Sequence, residues 1–122
     1  MPQPEFWLRG PITNMPEPAM PVAHTLHQAL EDLDKIISDL QEDELWLSPG
    51  GAASPGFHLL HIAGSLDRLF TYARDEKLSE DQLEFLRAEK KSGGFTAKQL
   101  SELLSAKIQE CLDQLRQLKP ET

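Results

Sequence analysis

Three long stretches of the sequence repeat apolar residues at intervals of three and four, and this spacing constrains the fold more than any other feature. Such a repeat places the apolar side chains on one face of an amphipathic α-helix. The predicted helices cover residues 22–40, 55–74 and 97–119. The second begins with Ser54 as a hydroxyl cap and Pro55 in its first turn, and the third begins with a capping box of Thr96 and Gln99. No stretch alternates apolar and polar residues as a strand does, so the chain is predicted to be all-α, with more than half of its residues in helix.

Shorter segments complete the predicted architecture, an antiparallel helical bundle of three long helices plus one or two short ones. Ser79 and Gln82 form another capping box, which predicts a short helix ending near Lys90. Residues 41–46 are expected to turn so that Leu45 and Trp46 enter the core. Large apolar residues on several sides of the 55–74 helix predict that this helix is central. The residues predicted to be buried are Leu33, Ile37, Leu59, Leu66, Phe70, Leu104 and Leu112.

Residues 1–21 hold six of the nine prolines and form what we call the N-terminal arm. Proline removes a backbone donor and disfavours helical geometry in the residue before it, so the arm is predicted to be extended. Its apolar residues, among them Phe6, Trp7 and Ile12, suit it to strap across a hydrophobic surface. The remainder, residues 22–119, is predicted to be a single helical-bundle domain.

Composition excludes several classes of function. The chain has 20 acidic against 12 basic residues and a net charge of -8, which argues against binding to nucleic acid or to anionic lipid. It has one cysteine, so no internal disulfide can form and a reducing compartment is expected. Neither a secretory signal nor an apolar run of roughly 20 residues is visible. The expected location is the cytoplasm, with no membrane partner.

Histidines are the strongest candidates for chemistry. His58 and His61 lie three apart near the start of the second long helix, so they can share a side. His24 and His27 lie near the start of the first long helix. Because neutral imidazole is a common ligand of zinc and nickel, and facing helices can build a metal site, His61 and His58 are the candidate metal ligands.

Three other reactive side chains have plainer explanations. Asp67 lies beside Arg68 in an otherwise apolar helix, which predicts a local ion pair. Ser65 lies one turn after His61, but no acidic residue in the sequence is seen to complete a catalytic triad with them. Cys111 lies on the apolar stripe of the last helix and is predicted to be a core residue.

The region around His61 resembles a known family. Leu45-Trp46 and the stretch Phe57-His-Leu-Leu-His61-Ile-Ala-Gly-Ser65 are similar to the second-helix region of DinB-like (DinB/YfiT-like) metalloenzymes. Trp7-Leu-Arg-Gly-Pro11 resembles the N-terminus of one bacterial branch of that family. The likeness is best over residues 5–90 and weaker over the last helix.

This resemblance implies a four-helix bundle and a divalent metal, such as nickel, zinc or iron, held by three histidines. His61 matches the ligand of the second helix. The other two ligands would be a His-x-x-x-His pair on a fourth helix, and no such pair occurs in this sequence. Characterised relatives use low-molecular-weight thiols in transferase or isomerase reactions. The resemblance therefore implies a metal-dependent enzyme of the transferase, isomerase or hydrolase type.

Three functional hypotheses follow. The chain is a shortened or divergent DinB-like bundle without a complete metal site, which survives as a self-associating module of unknown activity. Alternatively, it is a metal-dependent enzyme whose site combines His61 with His58, His24 or His27. The third hypothesis is an unrelated bundle that binds a small molecule or a protein. An open groove between three helices predicts a homodimer, and the specific substrate is left open.

Overall fold

A computed structural model describes residues 3–89, 91 and 94–118 of the chain. The described residues form four α-helices and no strand, and 69% of them are helical, which confirms the all-α prediction. The helices are α1 (Met20–Asp39), α2 (Pro55–Ala73), α3 (Glu80–Ala88) and α4 (Ala97–Arg116). Short 3-10 turns cover Phe6–Arg9, Glu17–Ala19 and Pro49–Gly51. Within the described ranges, no helix is both long enough and apolar enough to cross a membrane.

Local signals fix the helix starts. The three caps predicted at Ser54, Ser79 and Thr96 all form, and each side-chain oxygen accepts the backbone N–H of the residue three positions on. The ends are less regular. Helix α1 begins two residues earlier than predicted, and α4 ends three residues earlier, at Arg116. The predicted end points Lys90 and Lys119 lie outside the described residues.

Helix α4, not α2, is the central element of the bundle. It packs against both α1 and α2, whereas α2 packs against α4 on one side and the short α3 on another. Four of the five large side chains that are fully buried belong to α4, and the fifth is Leu45 in the turn after α1. The prediction that α2 is central was therefore wrong. Of the apolar residues outside its main face, Leu60 packs in a cluster with Phe85 of α3, and Tyr72 is exposed.

The predicted core is largely correct. Ile37, Leu59, Leu104 and Leu112 are buried. The other three predicted core residues, Leu33, Leu66 and Phe70, are only half-buried. They pack at the margins of two core clusters, because α1 and α2 flank α4 and make few close contacts with each other.

The N-terminal arm packs along α1, as its apolar residues predicted. The Phe6 ring stacks on the His27 imidazole, with 4.4 Å between centroids and 6° between planes. The His24 Nε2 lies 3.0 Å from the Gly10 carbonyl oxygen, and burial is the main cause that lowers the pKa of His27. Further along, Met15 joins the core between α1 and α4. Both N-terminal histidines therefore hold the arm in place.

Candidate functional site

One face of α2 carries a cluster of polar side chains. His61, Ser65 and Arg68 are separated by four and three residues, so they lie above one another along a single helical face. Helix α3 packs against α2, and Glu89 follows α3 directly. This packing places the Glu89 carboxylate, 21 residues later in the sequence, against Arg68.

The Arg68 guanidinium and the Glu89 carboxylate form a two-pronged ion pair. Nη1 of Arg68 donates to Oε2 at 3.0 Å, and Nη2 donates to Oε1 at 3.2 Å. The two side chains are only 10% and 2% exposed. Charges buried this deeply are stable only when they are paired and hydrogen-bonded, and this geometry supplies both requirements.

His61 connects this buried pair to the surface. Its Nδ1 lies 3.1 Å from Oε1 of Glu89, and its Nε2 lies 3.3 Å from the Ser65 hydroxyl oxygen. Because an ionised carboxylate can only accept, Nδ1 is the donor in the first bond, and a neutral ring then accepts the Ser65 proton at Nε2. The Phe57 ring stacks on the imidazole, with 5.6 Å between centroids and 8° between planes. The imidazole is half-exposed, so one side remains accessible.

Gly64 gives these side chains the space they occupy. A Cβ at this position would lie 2.7 Å from Nη1 of Arg68 and 2.9 Å from Oε1 of Glu89. It would also lie 2.9 Å from the Phe85 ring. The missing side chain therefore lets α3 and the ion pair approach the backbone of α2.

Cys111 has the inert environment that its place on the apolar stripe predicted. It is buried in a core cluster with apolar residues of the arm, α1 and α4, against which Leu66 and Phe70 of α2 also pack. Burial raises the pKa of its thiol to about 11. The thiol stays protonated at neutral pH, so it is a structural residue and not a nucleophile.

A comparison with protein-family models matches the DinB superfamily over residues 25–122. The chain belongs to the DinB superfamily. The match includes α4, where the sequence resemblance was weaker, and it excludes the N-terminal arm. No curated protein and no solved structure matches the chain.

The DinB-like metal expected from the resemblance does not fit the residues around His61. The described residues contain no group of three or more histidine, cysteine or carboxylate side chains able to hold a metal ion. Glu89 has both oxygens engaged by Arg68, and a guanidinium beside the site repels a divalent cation. Metal binding by His61 and His58 stays a prediction.

The other two candidate residues of α2, His58 and Asp67, lie apart from the cluster around His61. His58 is exposed, and its ring meets the ring of Phe57 edge-on. The predicted ion pair of Asp67 with Arg68 is wrong. Asp67 instead accepts a hydrogen bond from Gln82 at 3.1 Å and lies 3.8 Å from the Lys107 ammonium, because it faces α3 and α4.

Sequence reasoning missed Arg68 and Glu89 as partners of His61. The helical spacing of His61, Ser65 and Arg68 was a usable signal, since positions separated by four and three residues share one face of any α-helix. Glu89 gave no such signal, because only the packing of α3 against α2 brings it to this face.

Proposed function

We propose that this DinB-superfamily chain works as a metal-independent helical module that self-associates. In it, the polar cluster of His61, Ser65, Arg68 and Glu89 joins α2 to the end of α3. The observation that carries the proposal is the buried Arg68–Glu89 pair, which places a fixed positive charge beside the histidine that resembles a family metal ligand.

Electrostatics supports this function. A divalent ion next to His61 would face the Arg68 guanidinium, and it would have to take the Glu89 carboxylate from that guanidinium. Removing one partner of a buried ion pair typically costs about 3–5 kcal/mol, because the other charge is left uncompensated. Metal binding at this point would therefore work against the stability of the α2–α3 junction.

A metal-dependent enzyme built around His61 is the alternative. The observation in its favour is that the His61 imidazole is half-exposed and lies beside a carboxylate, and these are two ligand types that zinc accepts. His58, three residues earlier on α2, is the nearest further histidine in the sequence. Nickel, zinc or iron would then supply Lewis-acid or thiol-activating chemistry.

Metal analysis of protein purified without a histidine tag distinguishes the two functions. We expect far less than one equivalent of nickel, zinc or iron per chain, both as purified and after incubation with each ion and desalting. The Arg68→Gln variant removes the repelling charge and is expected to bind zinc more readily than the natural chain. Stoichiometric metal that is lost in His61→Ala and retained in His27→Ala would contradict the proposal and support the enzyme.

A further inference from the structure

We propose that Ser65, His61 and Glu89 form a nucleophile, base and orienting acid that transfer acyl groups from carboxylic esters. This inference rests on the proposed function in one respect, which is that Nε2 of His61 must be free of metal. It adds to that function a chemical activity at the same cluster.

The three groups have the order that such a reaction requires. The Ser65 hydroxyl lies 3.3 Å from Nε2 of His61, and the other ring nitrogen lies 3.1 Å from the Glu89 carboxylate. A serine hydroxyl is a weak nucleophile until an adjacent base accepts its proton, and the base works best when a third group fixes its tautomer and orientation. Glu89 can do this because its carboxylate holds the hydrogen at Nδ1.

The orienting acid is buried and the base is exposed, as the reaction requires. Glu89 is 2% exposed and is fixed by Arg68, whereas the His61 side chain is 50% exposed. The acid is therefore rigid and dry, and the base can be reached from solvent. Nη2 of Arg68 also donates to the Ser65 hydroxyl oxygen at 3.4 Å, so a cationic donor lies beside the attacking oxygen.

The reactive side of the cluster opens to solvent. The His61 side chain is 50% exposed, and the Phe57 ring stacks on its imidazole. The cavity of about 160 Å³ beside Gly64 and Phe85 opens toward α3 and α4, and neither Ser65 nor His61 lines it. An ester would therefore reach Ser65 from solvent, along the exposed side of His61.

Two balanced steps describe the reaction. In the first step, the Ser65 oxygen bonds to the ester carbonyl carbon while its proton passes to Nε2 of His61. The bond from that carbon to the alkoxy oxygen then breaks, and the alcohol leaves with the proton from His61. In the second step, water attacks the acyl-serine with His61 again as base, releasing the carboxylic acid and restoring the Ser65 hydroxyl. Ser65 and His61 are the catalytic residues, and Glu89 is a positioning residue.

Covalent labelling with a fluorophosphonate, read by peptide mass spectrometry, tests the nucleophile in the full chain. We expect one adduct on Ser65 that is absent in Ser65→Ala, and hydrolysis of p-nitrophenyl acetate that falls to background in the same variant. His61→Asn keeps an N–H donor toward Glu89 but has no base, so labelling should slow by at least about 10²-fold. Ser38→Ala, at an exposed serine of α1 whose hydroxyl donates to the Lys35 carbonyl, is the matched control and should label as the natural chain does.

Testing the positioning role of Glu89 requires a measurement that does not respond to a loss of protein stability. Nitrogen-15 spectra of the imidazole rings should show His61 protonated at Nδ1 in the natural chain. In Glu89→Gln that tautomer preference should be lost while circular dichroism still reports a folded helical protein. An unchanged tautomer would contradict the positioning role.

The outcomes separate this inference from the proposed function. Labelling that persists in Ser65→Ala, or that is equally fast in His61→Asn, overturns the acyl-transfer site whatever the metal content. A metal-free protein that gives no Ser65 adduct also overturns it and leaves the metal-independent module intact. Stoichiometric metal on His61 in the same sample contradicts the proposed function and removes the free base on which the site depends.

Discussion

Arg9 and Glu31 form the ion pair that fastens the N-terminal arm to α1. Nη2 of Arg9 donates to Oε1 of Glu31 at 2.8 Å, and Nε donates to the Pro4 carbonyl oxygen. The hydrogen bond from Arg9 is the largest cause that lowers the pKa of Glu31. A carboxyl group with a lowered pKa in the folded state binds its proton less readily than in the unfolded chain. Its stabilising effect is therefore present above the unfolded pKa and is lost as pH falls through the folded pKa.

Acid should release this contact, and Glu31→Gln should remove the pH dependence that it causes. We expect Glu31→Gln to lower the free energy of unfolding at pH 7. The difference from the natural chain should begin to shrink near the ordinary pKa of glutamate, about pH 4, and should vanish only as pH falls through the lower folded pKa. Urea unfolding of both proteins between pH 7 and pH 3 measures this. Glu102→Gln, at an exposed position of α4, is the control and should differ little from the natural chain at any pH. A difference for Glu31→Gln that stays constant down to pH 3 would contradict the assignment.

His61 shows the limit of prediction at the scale of single residues. Its place on α2 and its resemblance to a family ligand were visible in the sequence, but its partners were not. Glu89 lies directly after α3, not on α2. Arg68 pairs with Glu89 and not with its sequence neighbour Asp67, because the Glu89 carboxylate is the one buried beside it. Neighbours in sequence point to different faces of a helix, so adjacency was a poor guide to pairing.

At the scale of elements, the contact of α2 with α3 depends on one small residue. Gly64 sits where any side chain would overlap the Arg68–Glu89 pair and the ring of Phe85. Alanine here would favour the helix by up to about 1 kcal/mol, but overpacking a tight contact usually costs about 1–3 kcal/mol. The overlap should win, because both charged groups are buried and cannot move into water.

We therefore expect Gly64→Ala to lower the free energy of unfolding by about 1–2 kcal/mol. Thermal and urea unfolding followed by circular dichroism measure the change. His58→Ala is the control, since it places the same alanine on α2 at an exposed position, and it should change stability by less than about 0.5 kcal/mol. A Gly64→Ala protein more stable than the natural chain would mean that the Arg68 and Glu89 side chains can shift to accommodate the methyl group without loss of stability.

Helix starts and helix packing differ in how far they could be predicted. The caps at Ser54, Ser79 and Thr96 are local, since each involves residues within one turn, and all three were correct. The choice of α4 as the central helix was missed, because an apolar residue off the main face can meet a short helix or a loop as well as a long helix.

At the scale of the whole molecule, the end of the bundle away from the caps of α2 and α4 presents apolar surface. Leu69 and Tyr72 on α2 are 61% and 57% exposed, and Leu118 after α4 is 52% exposed. A cavity of about 300 Å³ at this end is lined in part by Leu118, Phe70 and Leu115. Large apolar side chains exposed at one end of a bundle are candidates for an interface.

We expect the protein to be a homodimer that uses this surface. Light scattering at micromolar concentration in about 0.15 M salt, where charge repulsion is largely screened, should give twice the chain mass of 13.7 kDa. The Leu69→Lys, Tyr72→Lys double variant should be monomeric. Ile36→Lys, at a residue of α1 that is 54% exposed, is the control and should remain dimeric. A monodisperse natural chain of 13.7 kDa would contradict the dimer.

Helix α4 between α1 and α2 also affects how the chain folds while it is being made. The apolar face of α1, including Ala23 and Leu26, is covered mainly by Ile108 and Leu112 of α4. Synthesis at roughly 5–20 residues per second means that α1 is complete for several seconds before α4 begins. During that time its apolar face has only the N-terminal arm to shield it. The face of α1 is thus exposed until α4 has been made, and slowing translation before α4 would lengthen that exposure.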